Sequence, residues 1–189
     1  MELKEEFCEL LMWTKRDGIE NLIQRMEQDG FFTAPCSGGN HLAQEGGLLL
    51  HSMNVWSVAN KLAYRLLPEE DYNESRSSVI VTSLLHDLGK MGNWGKPNYV
   101  PNILKSGKPS DSKPYVTNPD ALYVPHEVHS LTIASKYIDL TEGEYFAIAM
   151  HNGMYGDLKY AIKGHETRLY MILHFADMWA SRAMEMGVR

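Results

Sequence analysis

Titratable side chains stand on the apolar faces of separate helical segments, and this feature constrains the fold more than any other. His51 lies on the apolar side of a predicted helix over residues 47–67. His86 and Asp87 stand in LLHDLGK at the end of the next helix, and Asp177 lies in FADMWAS on the last one. An isolated buried charge costs several kcal/mol, so these groups must be paired, protonated or bound to a metal ion. We therefore expect three helices to bring them to one point, as helical bundles do when they build metal sites.

The spacing of apolar residues predicts a mostly helical chain. Residues 2–28 form two predicted helices, because Gly18 interrupts the pattern. Pro68 ends the helix over 47–67, and Thr141 with Glu144 forms a capping box for a later helix. The other helices are expected at about 77–88, 126–138, 142–151 and 166–186.

The segment at about 90–125 has a different composition. It holds six of the eight prolines, so no long helix fits there. We expect an irregular segment with a short β-hairpin, whose strands lie near 99–104 and 115–117. Five lysines and one aspartate lie between residues 89 and 119, although the chain as a whole is acidic. This charge predicts either a solvated loop or a lid that supplies cations to a phosphate-rich substrate.

Composition limits the class of protein. The chain has 189 residues and a formal net charge of −6, which counts against a dedicated nucleic-acid binder. It has no apolar run of the roughly 18 residues that a membrane span needs. Its two cysteines make no disulfide framework and suit a reducing compartment. We expect one cytoplasmic domain over residues 1–189, with a core at about 34–183 and the N-terminal helices over 2–28 packed on it; the oligomeric state stays open.

Four of the titratable residues occur in an order that a known family shares. His51, then His86 and Asp87, then Asp177 resemble the H…HD…D pattern of the HD-domain metal-dependent phosphohydrolases. Lys90 matches the lysine that commonly follows the HD pair. An HD dipeptide alone is a weak signal, but the complete pattern in the expected order is a strong one.

A longer segment also carries the resemblance, which extends over about residues 34–183. The sequence NHLAQEGGLLLHS at residues 40–52 is similar to a segment of the HD subset that includes bacterial three-prime exoribonucleases. His126 and His151 match positions at which two-metal HD proteins place an extra histidine each. His129, three residues after His126, is an alternative that matches no position of the family.

The resemblance implies an all-α, single-domain helical bundle of the HD type that holds a metal centre. Nitrogen and oxygen ligands favour Mn, Fe, Co, Ni or Zn and also allow Mg. One or two ions per chain are compatible with the pattern, and we expect two. The implied ligands are His51, His86, Asp87 and Asp177 for one ion and His126 and His151 for the other, with Asp87 bridging the two. Asp87 and Lys90 are the implied catalytic residues, in an attack on phosphorus by a metal-activated hydroxide.

The expected activity is hydrolysis of a phosphate ester in a nucleotide or a similar small phosphorylated substrate. His41, Lys96 and Asn152 are the candidate substrate contacts, although His41 is also consistent with a solvated loop histidine. Three alternatives stay open. These are a 3′–5′ exonuclease acting on single-stranded RNA or DNA, a non-catalytic nucleotide-binding HD module, and a di-iron oxygenase.

Overall fold

The computed structural model describes residues 2–156 and 158–186, most of which are helical, as predicted. The α-helices are α1 (Leu3–Trp13), α2 (Ile19–Gln28), α3 (Gly47–Leu66), α4 (Glu69–Leu85), α5 (His126–Ala134), α6 (Glu142–Met150), α7 (Lys159–Ile162) and α8 (Arg168–Trp179). Short 3₁₀ turns cover Leu88–Met91 and Gly153–Tyr155, and a π-helical turn over Ala180–Met184 follows α8. Strands β1 (Tyr99–Pro101) and β2 (Tyr115–Thr117) form a two-stranded sheet. Within these described ranges, no helix is both long and apolar enough to cross a bilayer.

The predicted break between the first two helices is confirmed at Gly18. This residue is the N-cap of α2 and has a φ of 85°, in the left-handed region that favours glycine. A Cβ at this position would lie 1.8 Å from the carbonyl oxygen of Tyr137. Close packing against the Tyr137 backbone and the left-handed turn therefore both require glycine here.

The predicted start of the fourth helix is wrong. The helix α4 begins at Glu69 rather than near Ser77, and Pro68 is its N-cap. Glu69, Glu70 and Asp71 occupy the first turn, where acidic side chains interact favourably with the helix dipole. The dipole and the proline at the N-terminus extend the helix over a stretch whose apolar periodicity is weak.

The predicted hairpin is present, with a shorter first strand than expected. Val100 lies opposite Val116 in an antiparallel register, and pairing in β1 ends at Pro101. The backbone N–H of Tyr115 donates to the carbonyl of Gly38 at 3.0 Å, and a Cβ at Gly38 would lie 2.9 Å from the Tyr115 carbonyl oxygen. The hairpin is thus tied to the loop between α2 and α3.

Two groups of buried apolar side chains form the core, and α3 contributes to both. The first group joins α1 and α2 to α3, α4 and α5, and it includes Phe7, Leu22 and Leu84. The second joins α3 and α4 to α6 and α8, and it includes Val55 and Leu173. The N-terminal helices therefore pack on the rest of the bundle.

A buried ion pair also joins the N-terminal helices to α6. The guanidinium of Arg16 donates to both carboxylate oxygens of Glu144, whose side chain is fully buried, and to the carbonyl of Asp139. Glu144 also forms the predicted capping box with Thr141. Burial raises the pKa of Glu144, but the contacts with Arg16 outweigh this and hold it below its ordinary value.

We predict that Arg16→Ala lowers the free energy of unfolding by about 3 kcal/mol, because it leaves a buried carboxylate without its partner. Lys4→Ala is the matched control, since its pair with Glu27 is largely exposed and such pairs contribute less than about 1 kcal/mol. Urea denaturation at neutral pH measures both. Equal losses in the two variants would contradict the importance of the buried pair.

Candidate metal centre

The end of α4 directs two adjacent side chains to one point. His86 is the C-cap of α4 and keeps helical dihedrals, whereas Asp87 has φ −102° and ψ 12° and begins a 3₁₀ turn. Adjacent residues inside an α-helix would point about 100° apart. The change of backbone conformation at Asp87 brings its carboxylate beside the His86 imidazole, and both side chains are buried.

The first group of ligand atoms consists of the four residues of the H…HD…D pattern. The Nε2 atom of His51 lies 3.3 Å from Asp87 Oδ2 and 3.3 Å from Asp177 Oδ1. The Nε2 atom of His86 lies 3.3 Å from His51 Nε2 and 3.5 Å from Asp87 Oδ2. His51, His86 and Asp177, from α3, the end of α4 and α8, offer ligand atoms that all lie within 4.8 Å of one another and could hold a cation. Asp87 Oδ2 lies beside two of these side chains.

The second group of ligand atoms lies around Oδ1, the other carboxylate oxygen of Asp87. Asp87 Oδ1 lies 3.1 Å from His126 Nε2 and 3.5 Å from His151 Nε2, and the two nitrogens are 3.2 Å apart. His126 is the first residue of α5, and His151 is the C-cap of α6. Asp87 thus faces one group of ligand atoms with each of its oxygens.

Backbone carbonyls fix the tautomers of two of these histidines. His86 Nδ1 lies 2.9 Å from the carbonyl of Ser83, and His151 Nδ1 lies 2.8 Å from the carbonyl of Ile148. A carbonyl only accepts, so Nδ1 carries the hydrogen in each ring and the Nε2 lone pair faces the centre when the ring is neutral. Metal-ligating histidines are held in the same way in known metal sites.

Carboxylates hold the other two histidines. His51 Nδ1 lies 3.0 Å from Glu185 Oε1, and His126 Nδ1 lies 3.3 Å from Glu127 Oε2. Sequence reasoning missed Glu185, which also contacts His41 Nδ1 and the amide of Asn54. Its spacing of eight residues from Asp177, about two helical turns, is the signal that could have revealed it.

The electrostatics of the centre favour a cation. Burial lowers the pKa of His86 to about 3, against the opposing effect of Asp87, so this imidazole is neutral near pH 7. Burial opposes ionisation of Asp87, but Lys90 and the neighbouring histidines outweigh it and hold its pKa well below the ordinary value. Among the described residues, none gives the buried Asp87 Oδ1 a hydrogen bond. A cation would satisfy this oxygen and the lone pairs around it, so these residues fit a metal ion.

A cavity of about 160 Å³ opens beside the two groups of ligand atoms. Two of the predicted substrate contacts, His41 and Asn152, line it together with Lys90, whose Nζ lies 2.6 Å from Asp87 Oδ2. Arg182, which sequence reasoning did not identify, also lines the cavity beside Tyr155, and its guanidinium lies 5.6 Å from the centre of that ring. The cavity therefore places two cationic side chains beside the candidate metal centre.

The structure does not bring Lys96, the third predicted substrate contact, to this cavity. Its amino group donates to the carbonyl of Asp120 at 2.5 Å. Lys96 lines a separate cavity of about 270 Å³ together with Trp94 and His129. Lys105 and Lys108 are exposed near the tip of the hairpin segment. The lysine-rich segment thus reaches the centre through Lys90, and its other lysines spread over separate surfaces.

In comparisons with known proteins, no protein-family model, no curated protein and no solved structure matches the chain. A proposal about the function of the chain therefore rests on the positions of the side chains around Asp87.

We predict that Asp87→Ala weakens Mn²⁺ binding by at least about 100-fold, because loss of an outer partner alone costs 10- to 100-fold and Asp87 faces both groups directly. His165→Ala removes an exposed histidine and is the control. Calorimetric titration with Mn²⁺ measures the affinity, and circular dichroism checks that helical content is retained. Wild-type affinity in Asp87→Ala would contradict the assignment.

Cation binding is also expected to release protons. Burial lowers the pKa of His51 and His151, but Cys36, Asp177 and Asp87 raise the pKa of His51 more, and Asp87 and Asp177 raise the pKa of His151 more. A raised pKa means that a proton occupies the ring as pH falls, so a cation must displace it and cation affinity falls with decreasing pH. Calorimetry in two buffers of different ionisation enthalpy measures this release. An affinity that is independent of pH across the neutral range would contradict it.

Proposed function

We propose that the chain is a metal-dependent phosphohydrolase of the HD-domain type, which cleaves a phosphate ester of a nucleotide or another small phosphorylated substrate. The observation that carries this proposal is the position of Asp87. Its two oxygens face two separate groups of histidine and aspartate ligand atoms, as a carboxylate that bridges two metal ions would. The order of these residues along the chain, which resembles the HD pattern, supports the same function.

The proposed centre holds two divalent ions. His51, His86, Asp87 and Asp177 would bind one, and His126, His151 and Asp87 the other. Such ions supply a hydroxide at neutral pH and stabilise negative charge on a phosphoryl group. The nitrogen and oxygen donors suit Mn, Fe, Co, Ni or Zn, and Mg is a weaker candidate because imidazole is not its preferred ligand.

The chain's own side chains have distinct tasks in this proposal. Lys90 keeps the Asp87 carboxylate ionised and directs positive charge into the cavity. Arg182 supplies a second positive charge, and its planar guanidinium suits two oxygens of a phosphate. Asn152 adds an amide at the boundary of the cavity, where it also contacts Glu127. Lys90 and Arg182 would attract and orient the phosphate group.

The size of the cavity limits what can be enclosed. A volume of about 160 Å³ is below the roughly 300–1,000 Å³ of a site that encloses a whole drug-sized ligand. We infer that the phosphoryl group enters the cavity and that the rest of the substrate extends outward over Asn152 and Tyr155.

A 3′–5′ exonuclease is the second candidate, and the likeness of residues 40–52 to the exoribonuclease segment favours it. Both candidates share the metal centre and differ in what lies outside the cavity. Release of inorganic phosphate from mononucleotides supports the first. Release of mononucleotides from a single-stranded oligonucleotide, with an affinity that falls steeply with salt, supports the second.

The proposal is tested with Mn²⁺-loaded protein on a panel of phosphate esters. Wild-type protein is expected to release phosphate, and Asp87→Ala is expected to release none above background. No turnover of any ester or oligonucleotide by wild-type protein with two bound ions would contradict the proposal and favour a nucleotide-binding module.

We predict that Lys90→Ala lowers kcat by about 100-fold, the range found when one transition-state hydrogen-bond donor is removed. Its Mn²⁺ content should stay at the wild-type value, because Lys90 contacts a ligand without being one. Lys105→Ala, an exposed lysine of the same segment, is the matched control. Steady-state kinetics and metal analysis measure both quantities, and loss of the metal in Lys90→Ala would show that Lys90 has another role.

A further inference from the structure

A group of side chains with different ligand chemistry lies next to the candidate metal centre. Cys36, His41 and His51 each offer one ligand atom, and these atoms all lie within 4.8 Å of one another. Cys36 and His51 are fully buried, whereas the side chain of His41 is 14% exposed. His51 thus belongs both to this triad and to the first group around Asp87.

The loop between α2 and α3 holds the triad in place. The backbone N–H of Cys36 donates to the carbonyl of Leu42 at 3.1 Å. The Ser37 hydroxyl donates to the carbonyl of His41 at 2.7 Å and accepts from the backbone N–H groups of Asn40 and His41. Glu185 then fixes the ring of His41 through Nδ1. The thiol and the imidazole are therefore preorganised rather than brought together by chance in a mobile loop.

The triad differs chemically from the groups around Asp87. Those groups contain only nitrogen and oxygen ligands, which suit Mn²⁺ as well as Zn²⁺. A thiolate with two imidazoles is a softer ligand set, typical of Zn²⁺ sites and unfavourable to Mn²⁺ and Mg²⁺. The triad would therefore discriminate in favour of thiophilic cations.

The surroundings of Cys36 favour its thiolate form and place it near the cavity. Lys90 Nζ lies 4.0 Å from the sulfur, where its positive charge attracts a negatively charged thiolate. Lys90 and His41 both line the 160 Å³ cavity, so the triad lies just behind the wall of the proposed substrate site.

We propose that Cys36, His41 and His51 form a further cation site, selective for thiophilic ions such as Zn²⁺, and that filling it inhibits the centre around Asp87. Inhibition is expected because a cation in the triad would bind His51, which is also a ligand in the first group around Asp87. The existence of the site depends only on the triad, whereas its inhibitory effect rests on the proposed phosphohydrolase function.

Titration with Co²⁺ tests the site, because thiolate ligation gives a charge-transfer band that nitrogen and oxygen ligands do not. The wild-type protein and Cys8→Ser, which removes the other, half-buried cysteine, should both show the band. Cys36→Ser should lack it, while it keeps the weaker bands of Co²⁺ bound by nitrogen and oxygen ligands. Absence of the band in reduced wild-type protein, or its persistence in Cys36→Ser, would overturn the proposal.

X-ray absorption at the zinc edge tests for a zinc–sulfur bond and needs no Cys36 variant. It therefore applies even if Cys36→Ser does not fold. Zn²⁺-loaded Cys8→Ser is expected to show a zinc–sulfur shell at about 2.3 Å. A spectrum with nitrogen and oxygen neighbours alone would overturn the site.

Inhibition is tested on Mn²⁺-loaded protein with added Zn²⁺. Cys36→Ser should require at least a 10-fold higher Zn²⁺ concentration than wild type or Cys8→Ser for half-inhibition. Equal inhibition of wild type, Cys8→Ser and Cys36→Ser would overturn the inhibitory role. The charge-transfer band would still show whether the cation site exists. If the protein hydrolyses no ester, the proposed function and the inhibitory role fail together, and the spectroscopic result stands independently.

Discussion

The buried carboxylate of Asp87 is the constraint on which the rest of the centre depends. It lies at the end of α4 beside His86 and Lys90. The other side chains around it come from other parts of the bundle: His51 from α3, His126 from α5, His151 from the end of α6 and Asp177 near the end of α8. A charge buried alone would cost several kcal/mol, so these elements must pack with their polar side chains towards one another. The same requirement that positions the helices thus creates two groups of ligand atoms.

The scaffold around the centre holds those side chains in fixed orientations. Ser83 and Ile148 are backbone acceptors for His86 and His151, so the rings cannot rotate without losing a hydrogen bond. The Arg16–Glu144 pair anchors α6, which carries His151 at its C-terminal end, to the N-terminal helices. Preorganisation of this kind lets a site bind a cation without first ordering its ligands.

The sequence predicts the features that depend on a local residue pattern. It does not predict the features that depend on contacts between residues far apart in the chain. The apolar register predicts that His51 and Asp177 lie on inward helix faces, and the structure shows His51 buried and Asp177 partly buried. Gly18 and the Thr141–Glu144 capping box mark helix ends correctly. The start of α4 is wrong in the prediction because three acidic residues, rather than an apolar stripe, favour its first turn. The sequence does not predict that Glu185 and Arg182 lie at the centre, because their positions depend on how the last turn packs. It also does not predict that Lys96 lies away from the centre, because that depends on how the hairpin packs.

The central proposal is that Asp87 would bridge two bound metal ions, and electron paramagnetic resonance of the Mn²⁺-loaded protein tests it most directly. If one carboxylate joins two ions, two equivalents of Mn²⁺ per chain should bind and give the signal of an exchange-coupled pair. In Asp87→Ala that signal should be absent. Binding of a single equivalent, or a signal from isolated ions only at saturation, would contradict the two-ion centre.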